Sequence, residues 1–129
     1  MKTYRQTLIS TAMLSLTLFS TSLSAWAGYA TRVEVIVGTN DAAGSMAGAR
    51  YSADGTQYIG CSFSNTNGPS IGCSATDKTG KVLACVGYNI QWPAAMKTIT
   101  DFSYIYFSTV PGGTYCKYLQ VDNFSFYLK

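Results

Sequence analysis

The chain has 129 residues, a formal net charge of +3 at pH 7 and no histidine. Without histidine, Ser-His-Asp and Cys-His catalytic sites and imidazole-ligated metal centres are excluded. The length fits a single domain.

The N-terminus has the pattern of a secretory signal peptide. Lys2 and Arg5 precede a mostly apolar stretch, and Ala25 and Ala27 are the small residues that a signal peptidase reads. The apolar stretch is shorter than the roughly 20 residues of a membrane-spanning helix, and hydroxyl side chains interrupt it. We therefore predict a signal peptide over residues 1–27, no membrane span after its cleavage, and a secreted or periplasmic location.

The predicted mature domain, residues 28–129, is close to neutral. Removal of Lys2 and Arg5 leaves seven basic and six acidic side chains, which is a net charge of +1. No basic stripe remains to neutralise successive phosphates, so nucleic acid is not expected as a partner.

Short runs of alternating apolar residues, separated by Gly, Asn, Asp and Pro, are typical of half-buried strands. The first run places Val33, Val35 and Val37 on one face of a strand. Segment 42–48 follows and is predicted to be flexible, because its residues are too small to add bulk to a core. The further predicted strands are residues 49–52, 57–64, 70–76, 81–88, 99–110, 114–121 and 124–128.

One short helical turn is predicted at residues 92–96. Pro93 suits the first turn of a helix, and the Ala and Met residues after it favour continuation. Seven or eight short strands in about 100 residues predict an all-β fold. We expect a small antiparallel β-sandwich with at most this one helical turn, and a β-barrel is the alternative.

Four cysteines in an exported chain indicate two disulfides. Two of the three possible pairings join cysteines that lie equally far from a turn. We prefer Cys61–Cys73 with Cys85–Cys116, because residues 67–69 (Asn-Gly-Pro) form the better-defined turn; the alternative is Cys73–Cys85 with Cys61–Cys116. The close C-x-x-C pairs of structural zinc sites are absent, so neither a metal site nor a cofactor is predicted.

Aromatic residues are the strongest indication of a binding surface. The mature chain carries one Trp, nine Tyr and five Phe, and such side chains fill small cores or form recognition faces. In the strand predicted at 99–110, Tyr104 and Tyr106 project to one side while Ile105 and Phe107 project to the other. Whether the tyrosine side is a second buried side or an exposed face stays open. The candidate binding residues are Trp92, Tyr104, Tyr106, Tyr118 and Arg50.

Several motifs together resemble a set of small uncharacterised exported bacterial proteins with a four-cysteine β domain. The motifs are YIGC at 58–61, CSATD at 73–77, DFSYIYF at 101–107 and VDNFSFY at 121–127, together with Cys85 and Cys116. The resemblance covers residues 44–129 and implies a shared disulfide-bonded β domain. It implies no activity, ligand or catalytic residue.

These observations favour a non-enzymatic binding module that uses aromatic side chains. Its ligand is unidentified, and a glycan or an envelope or extracellular protein is the candidate class. Two alternatives stay open: a small hydrolase or lyase that combines carboxylates with Tyr or Arg50, and an exported effector or inhibitor of another protein. The Asp residues beside predicted turns suit local hydrogen bonding better than catalysis. They are Asp54, Asp77, Asp101 and Asp122.

Overall fold

The computed structural model describes residues 31–89 and 91–127. The predicted signal peptide and its cleavage position lie outside the described residues, as does Leu128 at the end of the strand predicted at 124–128.

The described residues form seven strands, two short helices and one 3-10 turn. The strands are β1 (Ile36–Val37), β2 (Asp41–Ser45), β3 (Tyr58–Ser64), β4 (Ser70–Thr76), β5 (Val82–Gly87), β6 (Tyr104–Thr109) and β7 (Cys116–Asp122). The helices are α1 (Met46–Arg50) and α2 (Trp92–Met96), and the 3-10 turn is Ser125–Tyr127.

The strands form two antiparallel sheets. One sheet has four strands in the order β1-β2-β6-β7, and the other has three in the order β3-β4-β5. The sheets do not close into a barrel, so the prediction of an all-β antiparallel sandwich is confirmed and the barrel alternative is wrong.

The core lies between the inward faces of the two sheets. In β6, Ile105 and Phe107 are fully buried while Tyr104 and Tyr106 are half-buried, so the predicted placement of the two pairs on opposite sides of the strand is confirmed. Ile71 and other apolar residues of β4 line the opposite side of the same core. Burial of these alternate side chains is the main stabilising term for the sandwich.

Two disulfides brace the core, with the preferred pairing. Cys61–Cys73 joins β3 to β4 within one sheet, whereas Cys85–Cys116 joins β5 to β7 and so connects the two sheets. The alternative pairing is therefore wrong. Two disulfides are consistent with an oxidising, non-cytoplasmic compartment. Among the described residues, no helix has the length and apolar character needed to cross a membrane.

A β-bulge interrupts the pairing of β6 with β7. Ser108 lies opposite Tyr118, but the next residue, Thr109, lies opposite Cys116, so Lys117 has no partner of its own. As a result, Cys116 is buried in the core while Tyr118 is exposed on the outer face of the sheet.

Segment 42–48 differs from its prediction as a flexible stretch outside the core. Ala42 and Ala47 are buried, and β2 is an interior strand of its sheet. The small residues are needed for close approach: a Cβ built at Gly44 would lie 2.9 Å from the Cα of Val35. Low side-chain bulk here reflects tight backbone packing.

Two predicted strands are helical in the structure. The strand predicted at 49–52 is wrong because α1 ends there, after Ser45 caps its start by accepting a 2.9 Å hydrogen bond from the Gly48 N–H. The strand predicted at 124–128 is wrong because the 3-10 turn occupies its described part. The helical turn at 92–96 is confirmed as α2, and α1 is a second one.

Candidate functional site

Outward side chains of β6 and β7 form one continuous patch on the four-stranded sheet. We call it the tyrosine face and define it as Tyr104, Tyr106, Tyr118, Gln120 and Asp122. Cross-strand pairing determines its membership, because directly opposed residues point to the same side of a sheet. Tyr104 pairs with Asp122, Tyr106 with Gln120, and Tyr118 with Ser108.

The aromatic part of the tyrosine face is organised by ring contacts. The rings of Tyr106 and Tyr118 meet edge to face, with centroids 5.8 Å apart and an interplanar angle of 62°. This is a favourable arrangement for an aromatic pair. Tyr118 is 49% exposed. An incoming molecule therefore meets one accessible ring that a second ring holds in place.

Polar groups run beside these rings along β7. The Tyr118 hydroxyl donates to Oε1 of Gln120 at 3.3 Å, and Nε2 of Gln120 donates to Oδ2 of Asp122 at 2.8 Å. In both hydrogen bonds the donor and the acceptor are two residues apart, because side chains at that spacing lie on the same face of a strand. The Gln120 amide keeps a second N–H, and the Asp122 carboxylate keeps further lone pairs for a ligand.

The end of the tyrosine face near Tyr104 is covered by the 3-10 turn. The Tyr127 ring stacks on Tyr104, with centroids 5.6 Å apart and an interplanar angle of 9°. Burial, followed by the nearby Asp122 carboxylate, raises the pKa of Tyr104 above its ordinary value. Burial also raises the pKa of Tyr127, with Tyr104 and Asp122 as the further causes. Both phenols consequently stay neutral at physiological pH.

The tyrosine face continues toward the other edge of the sheet through β2 and β1. Ala43 lies between Tyr106 and Ile36 in the strand pairing, so these side chains share one outward row. Ile36 is 66% exposed. The row thus ends in an exposed branched aliphatic side chain, and the small Ala43 leaves a shallow step between Ile36 and the tyrosine.

Of the predicted site residues, the structure brings together Tyr104, Tyr106 and Tyr118. Trp92 lies elsewhere, at the start of α2. Its ring packs so closely on Gly87 of the three-stranded sheet that a Cβ at this glycine would overlap it. Trp92 is half-buried against the core.

Arg50 is also separate from the tyrosine face. It ends α1, and its guanidinium lies 3.9 Å from the Asp101 carboxylate in an exposed ion pair. Both side chains line a cavity of about 180 Å³ together with Met46, Tyr58 and Ile59. An exposed pair of this kind contributes little to stability, and the Arg50 side chain itself is 68% exposed.

Sequence reasoning missed Gln120 and Asp122 as members of the site. Both lie at even spacing after Tyr118, so simple alternation along β7 would have placed all three on one face. Tyr127 was missed for another reason, because the strand predicted at 124–128 gave no indication that the chain folds back onto Tyr104.

Two of the turn carboxylates have structural partners. Asp54 accepts hydrogen bonds from the backbone N–H groups of Thr56 and Gln57, and Asp77 accepts from those of Thr79 and Lys81. Hydrogen bonds, chiefly from the Gln57 side chain, lower the pKa of Asp54 to about 2. The pKa of Asp77 is lowered too, chiefly by the Thr79 hydroxyl. Both are held as anions in turns.

Within residues 31–89 and 91–127, no three Cys, Asp or Glu side chains come together in a group that could hold a metal ion. Comparison with protein families, with curated proteins and with solved structures finds no match.

Proposed function

We propose that this protein is a secreted or periplasmic bacterial binding module, and that its tyrosine face binds a glycan. The proposal depends on one observation: the Tyr106–Tyr118 ring pair lies beside the Gln120 amide, which is hydrogen-bonded to the Asp122 carboxylate. The location is supported by the signal-peptide pattern, by the resemblance to exported bacterial proteins and by the two disulfides.

A sugar ring needs the two kinds of contact that lie side by side here. Its C–H face is apolar and packs on an aromatic ring, for which the exposed Tyr118 ring is suited. Its hydroxyl groups both donate and accept hydrogen bonds. The Gln120 amide offers a donor and the Asp122 carboxylate offers acceptors, so one sugar can bridge the pair.

Charge also favours a neutral polyol over a polyanion. The chain after residue 27 has a net charge of +1, and the tyrosine face itself carries a carboxylate but no cation. An anionic polymer would meet repulsion from Asp122 with no compensating Lys or Arg in the face.

Two of the aspartates have structural roles in turns, and this favours binding over carboxylate-dependent hydrolysis. Asp54 and Asp77 are each engaged in turn hydrogen bonds and have lowered pKa values, so neither is suited to act as a proton donor at neutral pH. A protein partner is the second candidate function, favoured by the exposed Ile36 beside the tyrosine row.

The test is calorimetric titration of the purified protein with peptidoglycan fragments and envelope polysaccharides. We expect Tyr118→Ala to weaken glycan binding at least about tenfold, because it removes the exposed stacking ring. Tyr88→Ala is the matched control: this tyrosine is 63% exposed but follows the other sheet. It should leave binding unchanged.

Gln120→Leu separates the two candidates. The leucine removes the amide that a sugar hydroxyl requires but adds apolar area, so glycan binding should be lost while an apolar protein contact would be retained. Absence of binding at saturating glycan concentrations, or equal weakening by Tyr118→Ala and Tyr88→Ala, would refute the glycan proposal.

A further inference from the structure

Strand β3 is an edge of the three-stranded sheet with backbone groups directed outward. The Cα atoms of Cys61 and Cys73 are 4.0 Å apart, the short spacing typical of a pair that exchanges no ladder hydrogen bonds. The N–H and C=O groups of Cys61 therefore point away from β4, as do those of Ile59 and Phe63. In the described part of the chain, no backbone hydrogen bond joins this edge to another element.

The sequence of β3 also lacks the charges and prolines that usually protect a strand edge against pairing. Its seven residues contain neither a charge nor a proline, and its register with β4 is regular. The other edges differ: β1 has only two residues, β7 carries Lys117 at its bulge, and β5 is bridged at Val86 by Tyr115.

We infer that two copies of this chain associate through β3, paired antiparallel about a two-fold axis at Cys61. In this register Ile59 lies opposite Phe63 of the second copy, and Ser62 lies opposite Gly60. The outward groups of the three alternate residues then form about six intermolecular hydrogen bonds. The two three-stranded sheets become one sheet of six strands.

A second copy fits this edge because each end of β3 borders a concave surface that the opposite end of the second copy can occupy. At the Phe63 end, an apolar groove of about 330 Å³ is lined by Phe63, Pro93, Met96 and Lys97. At the other end, Ile59 borders the cavity that contains Met46 and Asp101. The two-fold axis sets one end against the other, so that the 47% exposed Phe63 ring is covered by the Ile59 end of the second copy.

Charge agrees with this arrangement. Asp101 at one end is brought to the same side as Lys97 of the second copy, and Arg50 already pairs with Asp101 at 3.9 Å. Asp101 of each copy then lies between its own Arg50 and Lys97 of the second copy. The two uncharged β3 strands lie between the two groups of charges. A head-to-head parallel pairing would instead bring Lys97 near Lys97 of the second copy.

The test uses charges placed across the two-fold axis. Ser62 is exposed, and the two Ser62 side chains are diagonal neighbours in the inferred register, about 7–8 Å apart. We expect the wild type to sediment as a dimer, whereas Ser62→Lys and Ser62→Glu should each dimerise more weakly, most clearly at low ionic strength, because like charges meet. An equimolar mixture of the two variants should form a heterodimer, detectable by native mass spectrometry.

Val82→Lys is the matched control, since Val82 is 58% exposed on β5 of the same sheet but distant from the β3 edge in strand order. It should remain dimeric. Circular dichroism of each variant verifies the fold. A wild type that is monomeric up to about 1 mM would overturn the inference. Undiminished dimerisation of Ser62→Lys, or failure of the mixed variants to associate, would overturn it as well.

Discussion

The side-chain Oε1 of Gln57 accepts a 2.7 Å hydrogen bond from the backbone N–H of Val35. Gln57 is buried, and its Nε2 donates to the Asp54 carboxylate. Gln57 thus connects the segment before β1 to the turn before β3, which are 22 residues apart in the chain. One buried amide satisfies both a core backbone donor and a turn carboxylate.

We expect Gln57→Leu to lower the free energy of unfolding by about 1–3 kcal/mol, because the Val35 N–H would remain buried without a partner. Urea unfolding followed by circular dichroism measures the change. Gln91→Leu is the control at an exposed position and should alter stability by less than about 0.5 kcal/mol. Equal losses in the two variants would contradict this role of Gln57.

Acid should weaken the fold through Asp54. Its pKa is lowered from 3.8 to about 2, chiefly by the Gln57 side chain, so the folded state favours the ionised carboxylate. The stabilisation is complete above the unfolded-state pKa and is lost as the pH falls from about 4 to about 2. We expect Asp54→Asn to reduce the pH dependence of the unfolding free energy in that range.

The control for this titration is Asp101→Asn, which removes an exposed carboxylate 3.9 Å from Arg50. Urea midpoints at a series of pH values for the wild type and both variants give the comparison. An Asp54→Asn curve parallel to that of the wild type would show that the turn carboxylate does not couple to folding.

The two disulfides should contribute unequally. Cys85–Cys116 closes a separation of 31 residues and Cys61–Cys73 one of 12, so loop entropy predicts losses of about 4 and about 3 kcal/mol on removal. Only the former joins the two sheets. We expect the Cys85→Ala/Cys116→Ala variant to unfold at lower urea concentration than the Cys61→Ala/Cys73→Ala variant. The reverse order would contradict the prediction.

Gly87→Ala should displace Trp92. The added methyl group would overlap the indole ring, and overpacking of this kind costs about 1–3 kcal/mol. In a chain that begins after residue 27, Trp92 is the only tryptophan, so its fluorescence reports the displacement directly. Gly60→Ala is the control, because a Cβ there meets no atom within 4 Å. An unchanged emission spectrum for Gly87→Ala would contradict the packing.

Much of the sandwich could be predicted because alternation is a physical requirement of strands with one buried face. Ile105 and Phe107 followed that rule. Segment 42–48 did not, because its burial depends on the absence of side chains: Gly44 and Ala42 enter the core by allowing backbones to approach. Hydrophobic periodicity does not register close approach of this kind.

The candidate site was predictable only within one strand. Alternation placed Tyr104 and Tyr106 together, but the position of Tyr118 depends on the register between β6 and β7. Trp92 packs against the three-stranded sheet because Gly87 at the end of β5 leaves room for its ring, which is a contact between a helix and a strand. The stacking of Tyr127 on Tyr104 likewise depends on the 3-10 turn.

The bulge at Lys117 changes which side of the sheet the β7 side chains face, so that Cys116 and Tyr118 point to opposite sides. Residues two apart in a regular strand face the same way, so without this insertion the tyrosine would point inward whenever the cysteine reached Cys85. If β7 paired regularly here, the chain could keep either the Cys85–Cys116 disulfide or the outward position of Tyr118, but not both. The inter-sheet disulfide and the proposed binding face therefore depend on the same irregular residue, Lys117.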